Sequence, residues 1–264
     1  MPARSTRRAR RAPLGIQSVE IAARILRALA DGGGALALRQ LAAATGMHRA
    51  KVHRYLISLA RAGLVTREAE FGHYGIGPLA IAAGLAGLNR LDPIRLAYAA
   101  LPILRDRIGE TVVLAVWGER GATVVALEDS AQPVTLNVRV GSILPLRASA
   151  IGRVFAAFMP EAILRPVLAA EARQSAGRAR PSEAALASIL AQIRRQRLSA
   201  VEGTLIPGLN ALAAPVFDQR GKLVLVIGVV GRRETLAARP AGAAAEALQE
   251  VAAGLSRQLG HAGA

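Results

Sequence analysis

Apolar residues recur at helical spacing through Val52, Leu56, Leu59 and Ala60, while His48, Arg49, Lys51, His53 and Arg54 are left for the other side. This pattern predicts a cationic amphipathic helix over 47–62. A shorter helical pattern over 38–44 precedes it, and Thr45-Gly46 breaks the two apart. Gly63 stops the second helix. Residues 64–67 read as a strand, 68–72 as a turn and 73–75 as a returning strand. Helix, tight turn, helix and hairpin in this order read as a winged helix-turn-helix, whose second helix enters a DNA major groove. Upstream, Ser18 is expected to cap a helix running to about Leu29, with Val19, Ala22, Ala23, Leu26 and Leu29 as its buried stripe. Asp31-Gly32-Gly33-Gly34 ends it. This first domain is expected over 15–76.

Beyond Gly77-Pro78 the chain is almost wholly Ala, Leu, Ile and Gly as far as Leu88. Pro at an early position suits a helix start. A short helix with so little polar surface must be covered, most simply by a partner subunit, and 77–91 is expected to be a linker helix. Asp92-Pro93 caps a further helix to about Ile108. From Thr111 the period becomes two, with strands expected over 111–117, 122–128 and 134–140, followed by extended chain over 141–146. Helical patterns occupy 149–158, 161–169 and 182–197. Strands return over 199–205, 210–217 and 222–230, and a last helix over 241–259 presents Leu248, Val251, Ala252, Leu255 and Leu259 on one face. The fold class is therefore α+β, with a winged helix-turn-helix followed by a domain over 92–264 built on a mostly antiparallel sheet.

Composition narrows the chemistry. The chain has 264 residues and no cysteine, so disulfides, thiol nucleophiles and Cys-based zinc sites are excluded, which fits a cytoplasmic protein. Its longest apolar run, around 223–230, is far short of the roughly 20 residues that span a bilayer. The Arg-rich N-terminus lacks the apolar stretch of a secretory signal. Net charge is +16, and residues 1–75 hold 13 Arg and Lys against 4 Asp and Glu. Charge thus concentrates where phosphate contact would need it. Arg4, Arg7, Arg8, Arg10 and Arg11 crowd a basic arm over 1–14. That arm is either a solvated tail or a phosphate-tracking extension in which Arg8, Arg10 and Arg11 meet DNA.

The candidate residues carry competing readings. His48, Arg49, Lys51, His53 and Arg54 could be a solvated cationic face. As a DNA-reading face, Arg49 and Arg54 would donate two hydrogen bonds to guanine and Lys51 would meet phosphate. His48 and His53 are five apart with no third ligand nearby, so no metal site is expected. Tyr55 adjoins the apolar face and reads as packing. Glu68 and Glu70 at the wing tip would repel phosphate, which keeps that tip beside the DNA backbone. Arg147, between Leu146 and Ala148, faces either solvent or a pocket; facing inward it would need a carboxylate. Ser149 reads as a helix cap. The segment 148–152 lacks the first Gly of a nucleophile elbow, and no His follows until His261. Neither an enzyme nor a cofactor is expected. Asn210, polar in an apolar context, satisfies either backbone groups or a ligand.

These residues together resemble the IclR-type bacterial transcriptional regulators over nearly the whole chain. The resemblance is carried by Ile16-Gln17-Ser18-Val19-Glu20, by Gly46 through Leu56, and by Tyr74-Gly75-Ile76-Gly77. In the second domain it is carried by Val138-Arg139-Val140-Gly141, Leu144-Pro145-Leu146, Ala148-Ser149-Ala150-Ile151-Gly152-Arg153 and Ala213-Ala214-Pro215-Val216-Phe217-Asp218. It implies a GAF-like effector-binding domain and a homodimer or dimer of dimers on a palindromic double-stranded DNA operator. A small organic acid is the expected effector. The implied effector pocket takes in Leu114, Val140, Gly141, Leu144, Arg147, Ala148, Ser149 and Ala150, then Thr204, Asn210, Ala211, Gly228 and Val230. The chain departs from the family pattern at Arg147 (commonly His), Thr204 (often Glu) and Ala211 (often Cys). Gly228 and Val230 replace the usual small polar residues, and Ala50-Lys51 replaces a frequent Ser-Thr pair. A less polar pocket follows, suited to a largely apolar or aromatic acid. The rival expectations are a constitutive DNA binder with a structural second domain, and an enzyme acting on a small acid.

Overall fold

The structure is a computed structural model that describes residues 15–69, 71–88, 90–131, 138–174 and 182–263. The chain divides into two compact units, Met1–Arg90 and Leu91–Ala264. Among the described residues no helix is long and apolar enough to cross a membrane.

The first unit holds α1 (Gln17–Asp31), α2 (Leu38–Thr45), α3 (Arg49–Arg61), β1 (Val65–Arg67), β2 (Tyr74–Ile76) and α4 (Pro78–Leu88). Three helices close around Ile25, Leu41, Val52 and Leu56, all fully buried. The expected cap of α1 is corrected. The helix starts at Gln17 with Ile16 as its N-cap, so Ser18 lies inside the first turn. Its buried stripe is Ile21, Ile25 and Leu29, and Val19 is exposed. Gly46 takes a left-handed conformation (φ 64°) that folds α2 back into α3, a turn a side chain would strain. The wing pairs Val65 with Ile76 and Arg67 with Tyr74. Leu36 extends this ladder by exchanging two backbone bonds with Tyr74, at 2.9 and 2.8 Å. α4 is apolar on every side, and Leu79, Ile81 and Leu85 stand exposed on it.

The second unit runs α5 (Pro93–Ile108), β3 (Thr111–Gly118), β4 (Gly121–Glu128), α6 (Ala150–Phe158), α7 (Glu161–Gln174), α8 (Glu183–Gln196), β5 (Ser199–Glu202), β6 (Leu209–Phe217), β7 (Leu223–Arg232) and α9 (Ala243–Gln258). The strands form one antiparallel sheet in the order β4-β3-β7-β6-β5. Strand alternation gives the sheet two apolar faces, and each buries its own core. Leu114, Leu212, Ile227 and Val229 pack with Leu101 and Leu104 of α5 and Leu248 of α9. Val113, Ala213 and Val226 pack on the other side with Phe155 of α6 and Ile193 of α8. The expected third strand is corrected in its described part. Residues 138–140 are loop and turn, and 134–137 lie outside the described residues. Among the described residues of this region, Ile143 makes an isolated bridge to Thr123, and the amides of Gly141 and Leu144 donate to the Val124 and Ala122 carbonyls.

Candidate DNA-reading face and candidate ligand cavity

On α3 the core takes Val52, Leu56 and Leu59. Arg49, Ala50, His53, Arg54, Ile57, Ser58 and Arg61 are exposed, and Lys51 and Tyr55 are half-buried at the flanks. Tyr55 packs against the core of this unit. No acidic residue interrupts 47–62. Arg49, His53 and Arg54 thus sit where a nucleic acid could reach them, with Lys51 at the edge of that face. His48 differs from the expectation. It precedes the helix as N-cap, its Nδ1 accepting from the Ala50 amide at 3.4 Å. Arg8, Arg10 and Arg11 lie outside the described residues.

In the second unit α6 lies across the face of the sheet opposite α5 and α9. Ser149 caps it, accepting from the Gly152 amide at 2.8 Å and donating to the Pro145 carbonyl at 2.7 Å. Between the start of α6 and the ends of β6 and β7 is a cavity of about 70 Å³. Leu144, Ala148, Ser149, Ala150, Ala211, Gly228 and Val230 line it, as do Val113, Ile151 and Val201. Leu205 and Ile206 line it from the loop joining β5 to β6. Gly228 accommodates Ile151: a Cβ there would stand 2.7 Å from Ile151 Cδ1. No ionisable side chain lines this cavity among the described residues. Nor do the described residues contain a His, Asp and Glu cluster able to hold a metal.

Several expected pocket residues are placed elsewhere. Arg147 lies outside the lining, and its Nη1 pairs with Glu183 Oε1 at 2.7 Å. Its carbonyl accepts from Arg153 Nε at 2.8 Å, and its amide donates to Glu171. Burial pushes the Arg153 guanidinium below its usual range. Leu114 belongs to the α5 and α9 face, one register position away from cavity-lining Val113. Val140 is 65% exposed, and Gly141 is exposed beside it in a turn. Thr204 is exposed, its hydroxyl donating to the Glu202 carbonyl at 3.2 Å. Asn210 borders the cavity, but strand alternation turns its side chain toward the Leu212 face. There its Nδ2 donates to the Leu236 carbonyl at 2.8 Å. The sequence reading missed Ile151, Val201, Leu205 and Ile206, because apolar walls carry no polar signal.

The placement of Arg147 changes its expected weight. Glu183 is 80% exposed while the Arg147 side chain is 15% exposed, so water screens the carboxylate and the ion pair itself contributes about 1 kcal/mol or less. Arg147→Ala should lower the stability of this unit by at least about 1 kcal/mol, because the packing of its largely buried stem is lost with the pair, and leave the cavity lining in place. Thermal unfolding checks the first part, and binding of any cavity ligand checks the second.

Residues 18–69 match the IclR helix-turn-helix domain, and residues 86–257 match the bacterial transcriptional regulator IclR C-terminal domain. The glycerol operon regulatory protein of Streptomyces griseus is 32% identical over 251 residues, which cover 93% of this chain and 97% of that protein. The transcriptional repressor IclR of Escherichia coli is 27% identical over 219 residues, covering 82% and 80%. The crystal structure of HmgR from Pseudomonas aeruginosa superposes with a TM-score of 0.86 at 41% identity, covering 94% of this chain and 100% of that one. The two relatives carry the names of an operon regulator and a transcriptional repressor.

Proposed function

Because the chain belongs to the IclR family of bacterial transcriptional regulators, we propose that it acts in the cytoplasm as a ligand-responsive DNA-binding regulator. It binds a palindromic operator as a dimer or dimer of dimers. A small, largely apolar organic acid held by the second unit alters that binding. The observation that carries this reading is the apolar cavity beneath α6, in a unit separate from the cationic α3. A cavity of about 150 Å³ lined by apolar side chains admits benzene. The smaller volume here means that a ligand of that size must displace a wall. The wall most open to displacement is the β5–β6 loop, where Leu205 is already 37% exposed.

No lining side chain offers a cation, so the acid's charge would rest on the first turn of α6. The amides of Ala150 and Ile151 have no backbone partner there, and the helix dipole favours an anion. Pairing of chains is supported by the exposed Leu79, Ile81 and Leu85 of α4, an apolar surface of the kind that marks protein contacts. Two α3 helices on one face of DNA must match half-sites about 34 Å apart, or a multiple of that. A ligand favouring one arrangement of the paired chains shifts the population that fits.

The test is a titration of purified protein on an operator recovered from a random duplex pool, using a panel of carboxylic acids and their neutral amides. At least one acid should raise the melting temperature and change operator affinity, and its amide should do neither. Equal action by the amide removes the anion from the reading. Operator binding indifferent to the whole panel favours the constitutive binder.

A further inference from the structure

We infer that Ile57 is a base-reading residue, contacting the C5 methyl of a thymine in each half-site through the outward stripe of α3. The inference rests on the DNA-binding reading above and adds what that helix reads. Ile57 is 41% exposed and is the only large aliphatic residue on the exposed side of α3. Single exposed apolar residues are ordinary on protein surfaces. Its position on the helix gives this one a role.

At about 100° per residue, Ala50, Arg54, Ile57 and Arg61 fall within about 50° of the direction opposite Val52, Leu56 and Leu59. They therefore form the ridge of the helix farthest from its own core. Arg49 and His53 flank it on one side, and Lys51 and Ser58 on the other. Ala50 to Ile57 spans about 10.5 Å along the axis at 1.5 Å per residue, which fits a major groove about 12 Å wide. Arg61 lies a further turn along, at the groove's rim, where a cation meets phosphate.

The groove offers an apolar partner only at the thymine methyl. Ala50 and Ile57 present methyl groups on either side of Arg54 along this ridge. An arginine bidentate to guanine fixes register, and the aliphatic neighbours then discriminate thymine from cytosine, which lacks the methyl. Ile57 thus supplies a specificity that charge alone does not.

The test uses the full-length protein and the operator it recovers from a random duplex pool. Each thymine is replaced in turn, symmetrically in both half-sites, by deoxyuridine, which lacks only the methyl group. At one position the wild-type protein should lose about fourfold in affinity per half-site, the worth of one buried methyl group. Ile57→Ala should lose nothing further there, while paying the same penalties as wild type at other positions. Because Ile57 is exposed, this variant should melt like the parent. Wild-type binding indifferent to deoxyuridine at every position overturns the inference, as do recovered half-sites without thymine or equal losses by the variant. A protein that recovers no sequence at all overturns the DNA-binding reading as well.

Discussion

A rise in salt from about 50 to 200 mM should lower operator affinity by about a thousandfold or more. Each chain presents Arg49, Lys51, Arg54 and Arg61 on or beside one helix face, with no acidic residue between 47 and 62. Two bound chains need to neutralise only about six phosphates for a loss of that size, because each contact releases a condensed counterion. The contacts should separate by kind. Lys51→Ala should weaken all sequences alike and make the logarithmic salt slope shallower by about one unit per bound chain. Arg54→Ala should cost roughly 1–3 kcal/mol and relax one operator position. Fluorescence anisotropy on operator and scrambled duplexes across this salt range measures both. A flat salt response would show that α3 is not the surface that meets DNA.

Gly152→Ala should destabilise the second unit by about 3 kcal/mol, the upper end of the usual cost of overpacking a core. A Cβ at Gly152 would stand 2.1 Å from the Pro145 carbonyl oxygen and 2.7 Å from Leu146 Cα. Both are backbone atoms, so no side chain can rotate away to make room. The start of α6 and the 145–146 segment must therefore part, and the start of α6 lines the cavity. The gain in helix propensity from Gly to Ala, about 1 kcal/mol, opposes this and is too small to cancel it. For a unit of this size the cost lowers the melting temperature by roughly 6–12 °C. Gly84→Ala in α4 is the control, because nothing lies within 4 Å of its added methyl. It should melt at or above the parent temperature. Calorimetry resolving the two units decides the matter, and a Gly152→Ala protein that melts like wild type would mean α6 does not sit this close. Operator binding without ligand should survive in this variant, since α3 belongs to the other unit.

The order of the elements was legible because core-facing residues must repeat with the period of their element. Val52, Leu56 and Leu59 announce α3, and two apolar runs on either side of Gly118-Glu119-Arg120-Gly121 announce β3 and β4. Phase was harder to read than period. In α1 two apolar stripes compete, one through Val19 and one through Ile21 and Ile25, and both contain Leu29. Tertiary packing chose the second. In the sheet, parity decides which core a residue joins, but sequence does not say which face carries a cavity. Leu114 was expected in the cavity and its side chain belongs to the other face, whereas Asn210, expected because it is polar in an apolar context, borders the cavity while its Nδ2 turns to Leu236. Arg147 lies in an irregular segment with no period at all. Its direction is set by Glu183, 36 residues away, a partner no local pattern reveals. The cavity walls themselves were silent, since Ile151, Val201, Leu205 and Ile206 look like any other core residues.

The fit of Ile151 over Gly228 also constrains how this chain's descendants could acquire a taste for more polar ligands. Placing a serine at position 228, as the resemblance to relatives suggests, puts its Cβ 2.7 Å from Ile151 Cδ1 and 2.9 Å from Cγ1. Taken first, that step forces a β-branched side chain off its preferred rotamer in a packed core, and selection for a stable fold would tend to discard it. Taken second, after Ile151 has shrunk to alanine, it is clear of both of those atoms and meets only the Leu212 carbonyl oxygen, at 3.4 Å. Trimming Ile151 to alanine first leaves a void, at a cost of about 2–5 kcal/mol, so the fold must hold that much stability in reserve. The two substitutions are thus ordered in time, and the smaller hydrophobic residue comes before the hydroxyl.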